Sequence, residues 1–228
     1  MGVHEGHRER LRNRFFENGL DSFNELNALE LLLFYAVPRK DTNVLAHTLL
    51  DHFGSLERIF SASRQELVAI EGVSDVTASL LMLIPQIARK SKVTAASKIN
   101  VIRNVEDAGN YLLPRFLYQE NEILLMVCLD SKKRVISCVE LGRGVVNSVN
   151  VDIRMLVETA LKYKAVSVII AHNHPDSYAL PSIEDDVVTQ QIQAALATVH
   201  IPLEDHIIVA EDDYISYRDS NMLNYLSR

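Results

Sequence analysis

The segment Val166–Asp185, VSVIIAHNHPDSYALPSIED, constrains the fold more than any other part of the chain. It opens with an apolar, β-branched run of strand length (Val166, Val168, Ile169, Ile170), passes into a polar loop at Ala171 and reaches a helix start at Ser182. His172 and His174 are separated by one residue, so both rings project to one side wherever the backbone is extended. Asp185 follows after a Pro-flanked loop. Two imidazoles and a carboxylate, with a fourth position left to water, are what a catalytic zinc site needs. The same residues also read as a helix start, because Ser182 and Asp185 have the spacing of a capping box. The sequence has no other comparable cluster.

The 228 residues are enough for one substantial core or two smaller ones. Hydrophobic residues make up 48% and mean hydropathy is near zero, an ordinary globular composition. No apolar run has the length of a membrane span, and the charged start MGVHEGHRERLRNR is unlike a secretory signal, so the expected address is the cytoplasm, with no membrane partner. Cys128 and Cys138, the only cysteines, lie in or beside apolar runs and read as core thiols. A net charge of −7 argues against a chain built mainly to coat nucleic acid.

Arg8, Arg10, Arg12 and Arg14 alternate along residues 4–18. They read either as the solvated face of a short helix or mobile arm, or as a phosphate-contacting arm. Helical spacing follows over 22–37, 42–53 and 55–61, with stops at Pro38 and Gly54. Residues 67–81, LVAIEGVSDVTASLL, resemble a helix-hairpin-helix motif, whose Gly-rich turn offers backbone N–H groups to DNA phosphates. Ser74 replaces the second turn glycine, Asp75 puts a negative charge where a phosphate would lie, and residues 1–92 hold 11 basic against 12 acidic side chains. Weak DNA binding and a packing or partner-binding role both stay open for this half.

Residues 91–104 lose helical periodicity and collect small polar side chains, as a linker does. Beyond them, Val105–Leu113 reads as a helix closed by Pro114, Ile123–Leu129 and Arg134–Leu141 as a hairpin, and Asp152 as the N-cap of an amphipathic helix. A helix over 183–199, with Val188, Ile192, Ala195 and Val199 inward, is followed by strands at 206–210 and 214–217. Helices around a mixed sheet give an α/β sandwich. The predicted organisation is therefore α+β or α/β in two domains: helical over 1–92, a linker at 93–103 and the sandwich over 104–228.

The spacing His172-x-His174, seven residues, Ser182, two residues, Asp185 resembles the signature of the JAMM (MPN-type) zinc metalloproteases, and His-Asn-His-Pro followed by Pro181-Ser182 resembles their RadC-like bacterial branch. The resemblance spans nearly the whole chain. It implies a hydrolase holding Zn2+ on His172, His174 and Asp185, cutting a peptide or isopeptide bond in an unidentified polypeptide. It also implies a Glu base at the start of the first core strand, where Glu122 stands, with Glu158 the runner-up and Glu120 and Glu140 as competitors. Ser182 would donate to the oxyanion, a role that does not exclude capping. Asp186 substitutes for Asp185 if the register shifts by one, and His206, in HIPLEDHII, reads as structural or as a partner of the ligands. Nickel or iron would also suit a His2Asp set. Asp176-Ser177-Tyr178 and Val145 depart from the RadC-like pattern without removing a ligand. The alternative function is a DNA-repair-associated accessory protein with a vestigial site. A nucleobase deaminase is set aside because His-x-Glu and Pro-Cys-x-x-Cys are both missing.

Overall fold

The computed structural model describes residues 3–38, 40–144, 151–175 and 177–226. Val145 and Asp176 lie outside the described residues. The chain divides into two compact units, residues 1–88 and 89–228.

The first unit is helical. The arginine-rich start forms α1 (Val3–Asn18), followed by α2 (Glu25–Ala36), α3 (Asn43–Phe53), α4 (Leu56–Ser61) and α5 (Arg64–Val68). Arg8 donates to the carbonyls of Val37 and Pro38 at 2.8 and 2.9 Å, beyond the end of α2, and covers the Phe34 ring at 4.7 Å. A cation suits the negative end of a helix dipole. Leu29, Leu33, Leu49, Ile59, Leu67 and Leu81 are fully buried in one core. Where the helix-hairpin-helix resemblance would put phosphate contacts, the start of α6 (Asp75–Ala96) is already occupied: the Ser74 hydroxyl accepts the Thr77 N–H at 3.2 Å, and Asp75 pairs with Arg64 at 2.5 Å.

Helix α6 runs to Ala96, into the stretch whose small polar residues suggest a linker. Thr94 turns its hydroxyl onto the Lys90 carbonyl at 2.9 Å within the helix, and Ser97, one residue past its end, bonds back to the Val93 carbonyl at 2.8 Å, so these side chains support the helix instead of interrupting it. The next helix, α7 (Val105–Phe116), also overruns its expected stop. Pro114 gives up one ladder hydrogen bond, but Tyr111, Leu112 and Phe116 are buried against the sheet, and that burial outweighs the loss.

The sheet of the second unit has the order β2-β1-β3-β4-β5, with β1 (Ile123–Leu129), β2 (Val135–Arg143), β3 (Ser167–Asn173), β4 (Leu203–Ala210) and β5 (Asp213–Ser216). Among the described strands only the β3–β4 pair is parallel. Every residue of β1 and β3 is buried, as expected of inner strands covered on both faces. Alternate residues divide between two cores. Leu124, Met126, Val168, Ile170 and Ile208 pack with α8 (Ile153–Lys162) and α9 (Ile183–Thr198), while Ile123, Leu125, Ile169, Ile207 and Val209 pack with α7. The second unit is thus the α/β sandwich expected from the sequence. On α9 the buried residues are Asp185, Val188, Thr189, Ile192 and Leu196, so Leu196 takes the core place read for Ala195. No described helix is long and apolar enough to cross a membrane.

Helix α7 meets β5 at Gly109, where an added Cβ would run into the ring of Tyr214. Gly109→Ala is therefore expected to destabilise the chain by about 1–3 kcal/mol through overpacking, despite the better helix propensity of alanine. A lower urea midpoint would register the loss.

Candidate metal centre

Strand β3 does not give way to a loop at Ala171. It is paired on both sides, with Leu124↔His172 across β1 and Asn173↔Val209 along β4, and the His174 N–H continues the ladder to the Val209 carbonyl at 2.8 Å. Local polarity suggests a loop, but two neighbouring strands keep the backbone extended. The result is that His172 and His174 share one side, the side that faces α9.

Ser182 is the N-cap of α9 and Asp185 its third residue. Ser182 Oγ accepts the Asp185 N–H at 3.1 Å and donates to Asp185 Oδ2 at 2.7 Å, while the Ser182 N–H donates to the same oxygen at 2.8 Å. The capping box thereby fixes the Asp185 rotamer and turns its carboxylate towards the histidines. His172 Nε2 lies 2.9 Å from His174 Nε2 and 3.0 Å from Asp185 Oδ1, and His174 Nε2 lies 3.5 Å from Asp185 Oδ2. A metal with bonds of roughly 2.0–2.2 Å spaces tetrahedral donors about 3.3–3.6 Å apart, close to these separations. Among the described residues this is the one group of three or more metal-binding side chains brought together.

Asp186 stands apart from the group. Its Oδ1 accepts the Tyr217 hydroxyl at 2.9 Å, so Asp185 is the carboxylate that meets the histidines. Glu122 immediately precedes β1. Continuing the β1–β3 register sets it across from His174, and its charge helps raise the His174 pKa. Glu158 pairs instead with Arg154 at 2.8 Å on an exposed face of α8, and Glu140 with Arg143 at 2.9 Å.

Behind the ligands lies a second set of polar side chains. His172 Nδ1 is 2.8 Å from His206 Nε2, and His206 Nδ1 is 2.6 Å from Thr189 Oγ1. The His206 ring stacks on Tyr217, with centroids 4.8 Å apart and planes 19° from parallel. Burial holds the His206 pKa well below that of an ordinary histidine. Thr189 and Tyr217 escape the sequence reading; Thr189 is one helical turn beyond Asp185, which is the periodic signal that could have found it. Asn173 also has a role that its position between two histidines does not suggest. Its buried side chain accepts the Ile123 N–H at 2.8 Å through Oδ1 and donates through Nδ2 to the Asn121 carbonyl at 3.2 Å, holding the backbone on either side of Glu122. Asn173→Ala is expected to cost about 1–3 kcal/mol by leaving buried backbone groups unpaired, measured by urea unfolding.

Burial pushes the Asp185 carboxyl pKa up, but the imidazoles of His172 and His174 beside it outweigh that and hold it well below the usual carboxylate range. The His174 pKa is raised, first by its hydrogen bond to Asp185 and against its partial burial. The stability from a raised His174 is complete below an unfolded value of about 6.5 and is lost as pH rises through the folded value. That from a depressed Asp185 is present above about 3.9 and is lost as pH falls through its folded value. The metal-free pair therefore stabilises the fold most between about pH 4 and 6.5. A metal must displace the His174 proton, so zinc affinity is expected to fall about tenfold per pH unit below the raised His174 pKa, measured by zinc titration across pH.

This geometry agrees with what the chain is similar to. A family model described as the RadC-like JAB domain matches residues 102–222, which include every strand and all the residues of the cluster. A UPF0758 protein of Fusobacterium nucleatum is 34% identical over 226 residues, covering 96% of this chain and 97% of its own length. A UPF0758 protein of Shewanella loihica is 30% identical over 213 residues, with 93% and 95% covered, and one of Paraburkholderia xenovorans is 31% identical over 206 residues, with 90% and 81% covered. A five-stranded mixed sheet, a His-His-Asp group at the end of its central strand and relatives matched over most of their length lead to one assignment: the chain belongs to the RadC-like JAB domain family.

Proposed function

We propose that this chain is a zinc-dependent hydrolase of the JAMM type that cuts a peptide or isopeptide bond. The observation that carries the reading is the convergence of His172 Nε2, His174 Nε2 and the Asp185 carboxylate, three lone-pair donors with the separations and ligand types of a metal site, which shared protons hold together when no ion is bound. These three residues would hold the ion. Zinc held there supplies a Lewis acid for a substrate carbonyl and a water acidified towards a pKa of about 7. Glu122 would take up the proton released and return it to the leaving nitrogen, acting as base and then as acid. Ser182 would turn its hydroxyl from Asp185 Oδ2 towards the substrate oxygen, keeping its capping bond to the Asp185 N–H meanwhile.

The DNA-associated reading has less support, because Ser74 and Asp75 already engage the groups a phosphate would need. The test of the preferred reading is to incubate the zinc-loaded protein with unfolded polypeptides and with isopeptide-linked ones and to look for new termini by mass spectrometry. Cleavage that disappears on chelation and returns with zinc is expected. Intact substrates of both kinds after prolonged incubation would sink the peptidase reading.

A further inference from the structure

We propose that Thr189 and His206 form a one-directional hydrogen-bond relay that keeps the proton of His172 on Nδ1 and leaves its Nε2 lone pair for a metal. The direction follows from an atom that can only accept. Thr189 Oγ1 lies 2.5 Å from the Asp185 carbonyl oxygen and 2.6 Å from His206 Nδ1. A hydroxyl has one hydrogen, and two oxygens at 2.5 Å without a hydrogen between them repel, so that hydrogen goes to the carbonyl. His206 Nδ1 must then be the donor to Thr189. The His206 ring is fully buried against Tyr217 with Thr189 and His172 at its two nitrogens, surroundings that favour the neutral form; its single proton is then on Nδ1, Nε2 is bare, and the 2.8 Å contact is made by the proton on His172 Nδ1. His172 Nε2, pointing into the cluster, is left as the free lone pair.

The reverse direction is chemically complete at the histidines and fails at Thr189. A proton on His206 Nε2 would put the His172 proton on Nε2, where it could meet Asp185 Oδ1 at 3.0 Å. That arrangement closes Nε2 to a metal and leaves the 2.5 Å oxygen pair without its hydrogen. Asp185 therefore acts at both ends of the device, offering its carboxylate to the ion and fixing through its backbone carbonyl which nitrogen of His172 is bare. Tyr217, stacked on His206, and the burial of His172, His206 and Thr189 hold the three groups in register and keep out water that could reorient them. Thr189 and His206 are positioning residues, since neither meets the metal position itself.

The inference rests on the metal reading for its consequence, but its geometry can be tested without activity. The long-range 1H–15N spectrum of the histidine rings reports which nitrogen carries each proton. His206 is expected to be protonated on Nδ1 and bare on Nε2, with His172 protonated on Nδ1. A His206 protonated on Nε2 facing a His172 with bare Nδ1 would overturn the relay. Zinc titration against a chromophoric chelator supplies the second arm. Thr189→Val, which removes the hydroxyl and keeps the branched shape, is expected to bind zinc about 10–100-fold more weakly, and Thr189→Ser to bind like the parent. Equal affinity in Thr189→Val and the parent would refute the relay. A parent chain that takes up no zinc would defeat the metal reading instead, and the ring spectrum would still decide the direction of the relay.

Discussion

Asp185→Ala is expected to lose stoichiometric metal and to destabilise the fold in a single step. Asp185 supplies the one carboxylate of the cluster, so its removal should weaken zinc binding by more than the roughly 100-fold that residues outside the ligand set command. The same carboxylate closes the capping box of α9 and meets the buried His172 at 3.0 Å. Losing the cap costs about 0.5–2 kcal/mol, and a buried imidazole left unpaired costs about 1–3 kcal/mol more. Ser182→Ala separates the two effects. It removes the cap hydroxyl at about 1 kcal/mol while leaving both histidines and the carboxylate in place, so zinc should be retained. Zinc titration together with urea unfolding of both variants checks the pair of expectations. An Asp185→Ala protein that still holds one zinc would mean that the carboxylate serves the helix alone.

Glu122→Gln is expected to hold zinc like the parent and to cleave about 10²–10⁴-fold more slowly, the range that a positioned acid or base contributes. The amide keeps the size of the carboxyl and cannot take a proton. A second consequence distinguishes loss of charge from loss of structure. Because the Glu122 charge raises the His174 pKa, the glutamine variant should compete better for zinc at acidic pH, with its affinity profile displaced to lower pH. Cleavage of an unfolded polypeptide and zinc affinity across pH test both parts. Unchanged turnover would move the base to another acid, with Glu158 and Glu140 the alternatives that sequence suggests.

Much of this architecture is legible in the sequence because buried strands and amphipathic helices leave periodic apolar patterns. Ile123–Leu129 is apolar throughout, and the stripe of α8 begins at the acid that caps it. The misreadings occur where a long-range partner overrides local chemistry. His172 and Asn173 look like loop residues, and only the pairing with β1 and β4 keeps them in a strand. Pro114 looks like a stop, and the burial of Phe116 carries the helix past it. Thr94 looks like linker for a different, local reason: its hydroxyl bonds back to the Lys90 carbonyl within α6. In the cluster, the spacing of His172, His174, Ser182 and Asp185 singles out the group, because all four follow from one strand, one loop and one helix start. Of the residues behind it, His206 stands out by its place in HIPLEDHII and does partner a ligand, at 2.8 Å from His172. Thr189 has only its one-turn spacing from Asp185, and Tyr217, just after the last strand, has no sequence spacing that links it to the others. Asn173 is in plain view, but its clamp on Asn121 and Ile123 depends on the neighbouring strand.

The central claim is that His172, His174 and Asp185 bind a metal ion. The most direct test is elemental analysis of the purified native chain and of His174→Ala after each is exposed to zinc and desalted. One zinc per native chain, lost in His174→Ala with the fold retained by circular dichroism, is the expected result. A native chain that retains no metal after zinc is added would contradict the claim.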